Sequence, residues 1–340
     1  MAFDPNAAAT GDGVFGLPHT AADAGVVLVP VPFEATTSYG GGAARGPRAI
    51  LAASRQVDLF DIETGRPYEA GIAMLPEPEE WRGWNDEAQA LVRRIRDQHV
   101  LGVGETQLAT DRKRVDALCE QLNKTLQARI THLLVEGKRV GTVGGDHGSV
   151  FGAIAAHADR YRGLGILHFD AHADLRRAYE GFEWSHASIM ESVVRRLPNV
   201  ARLVQVGVRD ACEEEHDLVR VSAGRIRTYW DAELARERFE GSTWAAQVER
   251  IVGDLPKQVY VSFDIDGLDP ALCPNTGTPV PGGLSFHEAS YLLGAVARSG
   301  RRIVGFDLVE VAPASDGGEW DANVGARMLY KLVGWMLASK

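Results

Sequence analysis

The chain has 340 residues, of which 45% are hydrophobic and 24% charged, and its 36 Lys and Arg against 46 Asp and Glu give a net charge of −10. This acidic balance disfavours a nucleic-acid-binding protein, which needs a basic patch for phosphates, and no apolar run approaches the ~20 residues that span a membrane. The three widely spaced cysteines suit neither a disulfide framework nor a zinc motif, so we expect a cytoplasmic protein.

Six short apolar runs predict the strands of one domain over residues 25–340. Residues 1–24, rich in Ala, Gly, Asp and Pro, are interpreted as an extended, loosely packed lead-in. The runs are continuous rather than alternating, which is typical of a parallel sheet covered by helices on both faces. We therefore expect an α/β fold of three α/β/α layers around a mainly parallel sheet. The runs are 26–29, 139–143, 165–169, 203–206, 259–263 and 303–306.

Helical patterns lie between these runs. Residues 111–136 repeat apolar side chains at helical spacing, and 324–337 predict a C-terminal helix. Ser285 followed by Glu288 matches the capping-box pattern at a helix start. The acidic clusters 77–80 and 213–215 are predicted to lie on the solvated surface.

Three segments rich in metal-ligand residue types each follow a predicted strand. They are Gly-Gly-Asp-His-Gly at 144–148, Asp-Ala-His-Ala-Asp at 170–174 and Asp-Ile-Asp-Gly-Leu-Asp-Pro at 264–270. Ligands of open parallel sheets bind outside the carboxyl ends of the strands, where these segments fall. If 170–174 begins by continuing its strand, its alternate residues share one face and converge. A role in loop capping or packing is the alternative for each segment taken alone.

Charge arithmetic predicts two divalent cations at this place. The free-energy cost of burying four carboxylates together is prohibitive unless cations compensate their charge. Two divalent ions balance four negative charges. Mixed carboxylate and imidazole ligands favour Mn²⁺ or a similar first-row ion, and two such ions would lower the pKa of a shared water. The side chains are Asp170, Asp174, Asp264 and Asp266, with His147 and His172 as neutral ligands.

In this order and spacing, the segments resemble the ureohydrolase family of arginases, agmatinases and related guanidine hydrolases. The resemblance extends from about residue 26 to the C-terminal helix and includes 38–50, 276–284 and 307–311. It implies an arginase-like α/β/α fold and a binuclear centre, usually of Mn²⁺, with Ni²⁺ in some relatives. It also implies a small cationic guanidino substrate, urea as product, and a homo-oligomer, either a trimer or a hexamer.

The resemblance also implies a role for each matched residue. One ion would be held by His147, Asp170, Asp174 and Asp264, and the other by Asp170, His172, Asp264 and Asp266. Asp174 resembles the carboxylate that orients the nucleophile and helps protonate the leaving nitrogen. His186 resembles a proton-shuttling histidine, with an ordinary loop histidine as the alternative. Glu310 resembles the residue that pairs with the guanidinium, with a surface salt bridge as the alternative.

Several substrate tails are compatible with the sequence. The segment 175–185 lacks the Asn- and Ser-containing loop of arginases, which disfavours arginine, while 181–186 is closer to agmatinases, although longer before the histidine. Agmatine, cleaved to putrescine and urea, is therefore the first expectation. Tyr179, Phe182 and Trp184 would stack on a cation, or narrow the pocket for free or alkyl guanidine, or simply pack the loop.

Charged neighbours of this segment leave further alternatives. Arg176 and Arg177 would suit the carboxylate of 4-guanidinobutyrate, unless they are surface residues. Asp210 lies where arginases bind the substrate amino group, or it forms a structural ion pair with Arg209. Gly148 stands where most relatives have serine.

Two other classes of protein are less consistent with the sequence. A dinucleotide-dependent oxidoreductase needs a G-x-G-x-x-G turn after the first strand, and none follows 26–29. A non-catalytic partner subunit on the same fold would have lost metal ligands, whereas all six are present.

Overall fold

The computed structural model describes residues 4–9, 11–98 and 104–340. Within this part of the chain, eight strands form one sheet in which every neighbouring pair is parallel. In chain order, β1 to β8 are Val26–Pro30, Ile72–Met74, Arg139–Val143, Leu164–Phe169, Val200–Val206, Ile226–Tyr229, Gln258–Asp264 and Arg302–Val309. Their order across the sheet is β2-β1-β3-β8-β7-β4-β5-β6. The predicted parallel sheet is confirmed.

The two strands that the sequence did not predict form the two edges of the sheet. β2 has 3 residues and β6 has 4, so neither is long enough to show a recognisable apolar run. The six predicted runs all form strands, and β1 is buried along its whole length, as expected of a strand covered on both faces.

Helices cover both faces of the sheet. Alternate residues of β1 enter two separate apolar cores, Val26 and Leu28 on one face and Val27 and Val29 on the other. The first core includes side chains of α1, α8, α9 and α10, and the second includes side chains of α2 to α5. In chain order, α1 to α10 are Gly46–Ala53, Glu79–Arg96, Glu105–Val135, Phe151–Arg160, Ile189–Arg196, Glu213–Val221, Asp231–Phe239, Trp244–Asp254, Phe286–Arg298 and Trp320–Ala338.

The helix predictions are confirmed, with earlier starts for two of them. α3 begins at Glu105 rather than at 111, and α10 begins at Trp320 rather than at 324. The capping box of α9 is present, because Ser285 Oγ accepts the Glu288 N–H at 3.2 Å and Glu288 Oε2 accepts the Ser285 N–H at 2.8 Å. No described helix is both long and apolar enough to cross a bilayer.

Two expectations about the surface need correction. The described part of segment 1–24 is not loosely packed throughout, because Phe15 is buried with its ring 4.7 Å from that of Tyr330 on α10. Glu215 is buried rather than solvated, since its carboxylate accepts the backbone N–H of Leu175 at 2.9 Å and of Cys212 at 2.8 Å. An acidic cluster therefore supplies a buried anchor for the loop that follows β4.

Candidate metal centre and active-site cavity

Four adjacent strands in the middle of the sheet bring the predicted site residues together. These consecutive neighbours are β3, β8, β7 and β4. The loops at their carboxyl ends therefore lie side by side at the same end of the parallel strands. Asp264 is the last residue of β7, Asp170 directly follows β4, and Glu310 directly follows β8. His147 lies in the turn between β3 and α4.

The six predicted ligands form two overlapping groups. His147 Nδ1 lies 3.1 Å from Asp170 Oδ2, 3.2 Å from Asp174 Oδ2 and 3.4 Å from Asp264 Oδ2. His172 Nδ1 lies 3.0 Å from Asp266 Oδ2 and 3.4 Å from Asp170 Oδ1. Donor atoms of His147, Asp170 and Asp174, together with His168, are close enough to hold one metal ion, and those of Asp170, His172 and Asp266 are close enough to hold another. Asp170 belongs to both groups, and Asp264 joins the first through its contact with His147.

Backbone amides hold three of the four carboxylates in place. Asp170 Oδ1 accepts the N–H of His172 at 2.6 Å, and Asp264 Oδ1 accepts that of Asp266 at 2.9 Å. Asp266 Oδ1 accepts the N–H of Ala171 at 2.9 Å. Each carboxylate thus has one oxygen on the backbone, and in each the other oxygen approaches a histidine nitrogen. The short spacing of the motifs produces this pattern, because each amide lies within or beside a ligand segment.

A hydrogen-bonded relay fixes the orientation of His147. Its Nε2 lies 2.9 Å from Ser262 Oγ, and the Ser262 hydroxyl donates to Asp307 Oδ1 at 2.9 Å. Since that hydroxyl proton points at Asp307, Ser262 accepts from His147, which places the imidazole proton on Nε2 and leaves Nδ1 free as a ligand. Sequence reasoning assigned no role to Ser262 or Asp307, although each lies on a predicted or extended strand that ends at the site.

The electrostatics of this cluster call for cations. All four carboxylates are at most 5% exposed. Burial, followed by the charges of Asp266 and Asp170, raises the pKa of Asp264 well above its usual range, and burial with Asp170 raises the pKa of Asp174 to about 7. Raised carboxylate pKa values of this kind are expected where negative charges are crowded together and buried. Hard oxygen donors, two imidazoles and this excess charge fit a pair of divalent ions.

Convergence of the second segment arises from a loop rather than from a continued strand. β4 ends at Phe169, and Asp174 has a left-handed backbone with φ of 54°. Glu310 also has positive φ, at 62°. Non-glycine residues adopt this conformation at an energetic cost and are concentrated at functional sites. Asp170, His172 and Asp174 thus lie close together, but through a loop and not through the strand continuation that the sequence allowed.

A cavity of about 330 Å³ opens beside the cluster. His172 and Asp174 form part of its wall, so the ligand groups can be reached by a small molecule. Among the predicted residues, His186, Tyr179, Asp210 and Arg176 also line it.

His186 is held at this cavity by the loop that follows β1. Its Nδ1 lies 3.3 Å from Thr36 Oγ1, and its N–H donates to the same oxygen at 3.2 Å. Burial, and then the positive charges that His172 and Arg96 carry when protonated, lowers the pKa of His186 to about 4. The buried Asp146 carboxylate accepts the Ala35 N–H at 3.1 Å and so holds this loop. Asp146 is therefore a further positioning residue within the Gly-Gly-Asp-His motif.

Glu310 is buried behind the turn that carries His147. Its Oε1 accepts the backbone N–H of His147 at 2.8 Å, and burial, followed by the charge of Asp146, raises its pKa well above the usual range. Glu310 is therefore no surface salt bridge. It does not line the cavity described above, so its pairing with a guanidinium stays a prediction.

Comparison with known proteins agrees with this arrangement. Residues 24–334 match the family model described as "Arginase family". An "N(1)-aminopropylagmatine ureohydrolase" of Thermus thermophilus is 35% identical over 315 residues, which cover 92% of this chain and 90% of that protein. The chain belongs to the arginase family. As an arginase-family protein, it is an enzyme that hydrolyses carbon–nitrogen bonds of guanidino compounds, as the resemblance implied.

Further relatives of this arginase-family chain agree. An "Agmatinase" of Cronobacter sakazakii is 32% identical over 319 residues, covering 94% of this chain and 89% of that protein. The crystal structure of an agmatine ureohydrolase of Thermoplasma volcanium superposes with a TM-score of 0.73 at 21% identity, covering 96% of this chain and 94% of that one. This structure confirms the arginase-like fold. Together the relatives make the chain a ureohydrolase of the agmatinase type.

Two aromatic side chains of this arginase-family chain lie elsewhere than predicted. Trp184 is only 9% exposed, packs edge-on against Phe151 of α4 at 5.2 Å, and is covered by the Arg196 guanidinium at 4.4 Å. Phe182 is fully buried. Neither lines the cavity, so the prediction that Trp184 binds substrate is wrong. The sequence of the loop could not show this packing, because the partners of Trp184 come from α4 and from α5.

Arg209 and Asp210 do not form the ion pair that the sequence allowed. The Arg209 guanidinium instead donates to the carbonyl oxygens of Gly207, Asp266, Leu268 and Val280 at 2.7–3.1 Å. It thereby fastens the loop that carries Asp266. Among the described residues, none forms a hydrogen bond or an ion pair with the Asp210 carboxylate, which is exposed at the cavity.

Gly148 lets the loop before His186 lie directly against the turn at 144–148 that carries His147. A Cβ built at position 148 would lie 2.8 Å from the Trp184 carbonyl oxygen and 3.1 Å from the His186 nitrogen. Backbone at these distances has no room for a side chain. The missing serine is thus explained by the close approach of the longer loop before His186.

Replacing Gly148 with alanine should therefore displace His186. We expect a loss of about 1–3 kcal/mol in the free energy of unfolding, as for an overpacked core, together with a fall in kcat. Gly83→Ala is the matched control, because a Cβ there meets nothing within 4 Å and the position is helical. Unfolding in guanidinium chloride measures the free energy of unfolding, and an assay of the urea produced from agmatine measures kcat. Equal behaviour of the two variants would contradict the close packing.

Proposed function

We propose that this enzyme is a two-metal agmatinase, which hydrolyses agmatine to putrescine and urea. The observation that carries the proposal is a pair of donor groups that share Asp170 and contain five of the predicted ligands, with the sixth, Asp264, 3.4 Å from His147 Nδ1, beside a cavity that reaches them. The names of the relatives, agmatinase and aminopropylagmatine ureohydrolase, agree with a guanidine attached to an amine-bearing tail. Oxygen and imidazole donors favour Mn²⁺, with Ni²⁺ as the alternative.

When bound, the two ions would activate water near neutral pH and stabilise negative charge on the reacting group. They would be held by His147, Asp170, Asp174 and Asp264 on one side and by Asp170, His172, Asp264 and Asp266 on the other.

The chain's own residues supply orientation and proton transfer. The oxygen of water forms a bond to the guanidinium carbon, and the bond from that carbon to the substituted nitrogen breaks, giving urea and an amine. Asp174 lies in the cavity wall, where its carboxylate can orient the water and receive its proton. His186 is held neutral by burial, and because its pKa is lowered, a proton that reaches its ring is readily passed on to the leaving nitrogen.

The charges at the cavity favour a cationic tail. Asp210 presents a carboxylate with no partner in the described part of the chain, as required for binding an ammonium group. Arg176 is already engaged, because its Nε lies 3.7 Å from Glu215 Oε2 and its guanidinium lies 5.0 Å from the centre of the Tyr179 ring. A free carboxylate and a compensated guanidinium together attract a diamine tail more strongly than a carboxylate tail.

Two other substrates have specific support and serve as alternatives. Arg176 lines the cavity and would meet the carboxylate of 4-guanidinobutyrate if it left Glu215. Tyr179 stands edge-on to His186 with the ring centres 6.0 Å apart, which narrows the site in a way that suits free guanidine or methylguanidine. Arg177 contributes to neither, because it pairs with Glu183 at 3.2 Å and with Glu191 at 3.6 Å outside the cavity.

A substrate panel tests the proposed reaction. The purified enzyme, loaded separately with Mn²⁺ and Ni²⁺, is assayed for urea with agmatine, guanidine, methylguanidine, 4-guanidinobutyrate and arginine. We expect the highest kcat/KM with agmatine. Preference for guanidine or 4-guanidinobutyrate would select that alternative, and no urea from any compound with either metal would contradict the proposal.

Asp210→Asn should lower kcat/KM only for substrates that carry an amine tail. Losing one charged contact at a partly exposed site should lower kcat/KM for agmatine about 10-fold, while leaving guanidine turnover unchanged. Asp217→Asn is the control, since Asp217 is an exposed residue of α6 that pairs with Arg220 at 3.1 Å. A parallel loss for agmatine and guanidine would show that Asp210 does not bind the tail.

A cytoplasmic location and a trimeric or hexameric assembly are part of the proposal. Cys119, Cys212 and Cys273 are all free thiols, as suits a reducing compartment. The assembly follows only from the family resemblance and is measured by light scattering of the purified protein.

A further inference from the structure

A line of three polar side chains runs from the shared ligand Asp170 to the edge of the sheet. His168 on β4, Gln205 on β5 and Thr228 on β6 are register partners on adjacent strands. All three are buried, and the first two are fully so. Full burial of polar groups in a sheet core is costly unless each hydrogen bond is made.

The hydrogen bonds of this line have one consistent direction. Gln205 Nε2 donates to the Ala173 carbonyl oxygen at 2.7 Å, which fixes the orientation of its amide, and the same nitrogen lies 3.0 Å from His168 Nδ1. The Thr228 hydroxyl donates to Gln205 Oε1 at 2.9 Å. Because Gln205 approaches with N–H, His168 Nδ1 must accept, and the imidazole proton lies on Nε2.

His168 Nε2 lies 2.8 Å from Asp170 Oδ2, so this proton is donated to the carboxylate. Oδ2 is also the oxygen that approaches His147 Nδ1, while Oδ1 is held by the His172 amide. His168 lies close enough to join the first donor group as a ligand itself. A nitrogen that carries a proton cannot bind a metal ion, however.

We propose that His168 is a positioning residue rather than a metal ligand, and that Gln205 fixes its tautomer. Its Nε2–H orients Asp170, the carboxylate that belongs to both donor groups, by holding Oδ2 in place. The inference rests on the two-metal site proposed above. Outer hydrogen-bond partners of this kind typically contribute 10–100-fold to metal affinity.

Metal binding by matched variants tests this role. Mn²⁺ stoichiometry and dissociation constants are measured by competition with a chelator, and the coupled Mn²⁺ pair by electron paramagnetic resonance. We expect His168→Phe to weaken Mn²⁺ binding about 10–100-fold, Gln205→Leu to weaken it less, and His168→Gln, which restores an N–H donor, to recover part of the loss. The control is His157→Phe, a buried histidine of α4 that bonds only to the Ala153 carbonyl oxygen among the described residues.

Two outcomes would overturn the proposal. Unchanged affinity in His168→Phe would remove the positioning role. Complete loss of one ion in both His168→Phe and His168→Gln, with none in Gln205→Leu, would make His168 a direct ligand. If the wild-type enzyme binds fewer than two ions, the two-metal function fails instead.

The tautomer is tested independently of metal loading and of the folding of variants. Nitrogen-15 NMR of the histidine rings in the metal-free wild-type protein should show the His168 proton on Nε2 and a bare Nδ1. A proton on Nδ1 would contradict the inference, whatever the metal content.

Discussion

Asp266→Ala is expected to bind one ion fewer and to lose nearly all turnover. Asp266 contributes the oxygen 3.0 Å from His172 Nδ1, and no other predicted ligand carboxylate except Asp170 approaches that nitrogen within 4 Å in the described structure. Removing this oxygen leaves the second donor group with too few ligands. Loss of several kcal/mol of metal stabilisation corresponds to about a 10³-fold fall in kcat.

The control for this variant lies in the same loop. Asp269 is exposed, and its carboxylate accepts the Ala271 N–H at 2.8 Å instead of joining the cluster. Asp269→Ala should keep both ions and most activity. His172→Ala should behave like Asp266→Ala, with little cost to folding because a quarter of its side chain is exposed. Two bound ions and near-normal turnover in Asp266→Ala would refute the ligand assignment.

Glu310→Gln is expected to lower kcat/KM by about 30-fold to 10³-fold, because a buried carboxylate that pairs with a guanidinium contributes roughly 2–4 kcal/mol. The substitution is informative because glutamine keeps an oxygen that can accept the His147 N–H, which Glu310 Oε1 now accepts at 2.8 Å. The loop geometry is thus retained while the charge is removed.

Steady-state kinetics with agmatine and metal analysis separate the two roles of Glu310. If Glu310 only supports the turn that carries His147, Glu310→Gln will be active and Glu310→Ala will lose metal. If it binds substrate, both variants will keep two ions and lose kcat/KM. Glu319→Gln, an exposed residue before α10, is the control. An unchanged kcat/KM in Glu310→Gln would exclude a role in guanidinium binding.

The central fold and the ligand set were predictable because both depend on local sequence. Buried parallel strands appear as continuous apolar runs, and the ligand segments follow these runs directly. Asp264 at the end of β7 and Asp170 after β4 could therefore be placed at the carboxyl ends of the strands from the sequence alone. The edge strands β2 and β6 were too short to be recognised.

Features that depend on tertiary contacts were not predictable. Trp184 looked like a pocket residue from its loop, but its partners are Phe151 and Arg196 on two different helices. Glu215 looked solvated within an acidic cluster, but its carboxylate binds amides on two segments. The environment of each of these two side chains depends on partners that its own stretch of sequence does not reveal.

The supporting hydrogen bonds around the ligands fall between these cases. His168 lies two residues before Asp170, so its place on the same side of β4 was visible in the strand period. The direction of the hydrogen bond from His168 to Asp170 was not predictable, because it depends on Gln205 in the neighbouring strand.

The most direct test of the two-metal centre is anomalous diffraction from crystals of the Mn²⁺-loaded enzyme, measured at the manganese absorption edge. We predict two peaks at the carboxyl ends of β3, β4 and β7, one beside His147 Nδ1 and one beside His172 Nδ1, with Asp170 contacting both. No peak there, or ions bound only by other side chains, would contradict the account.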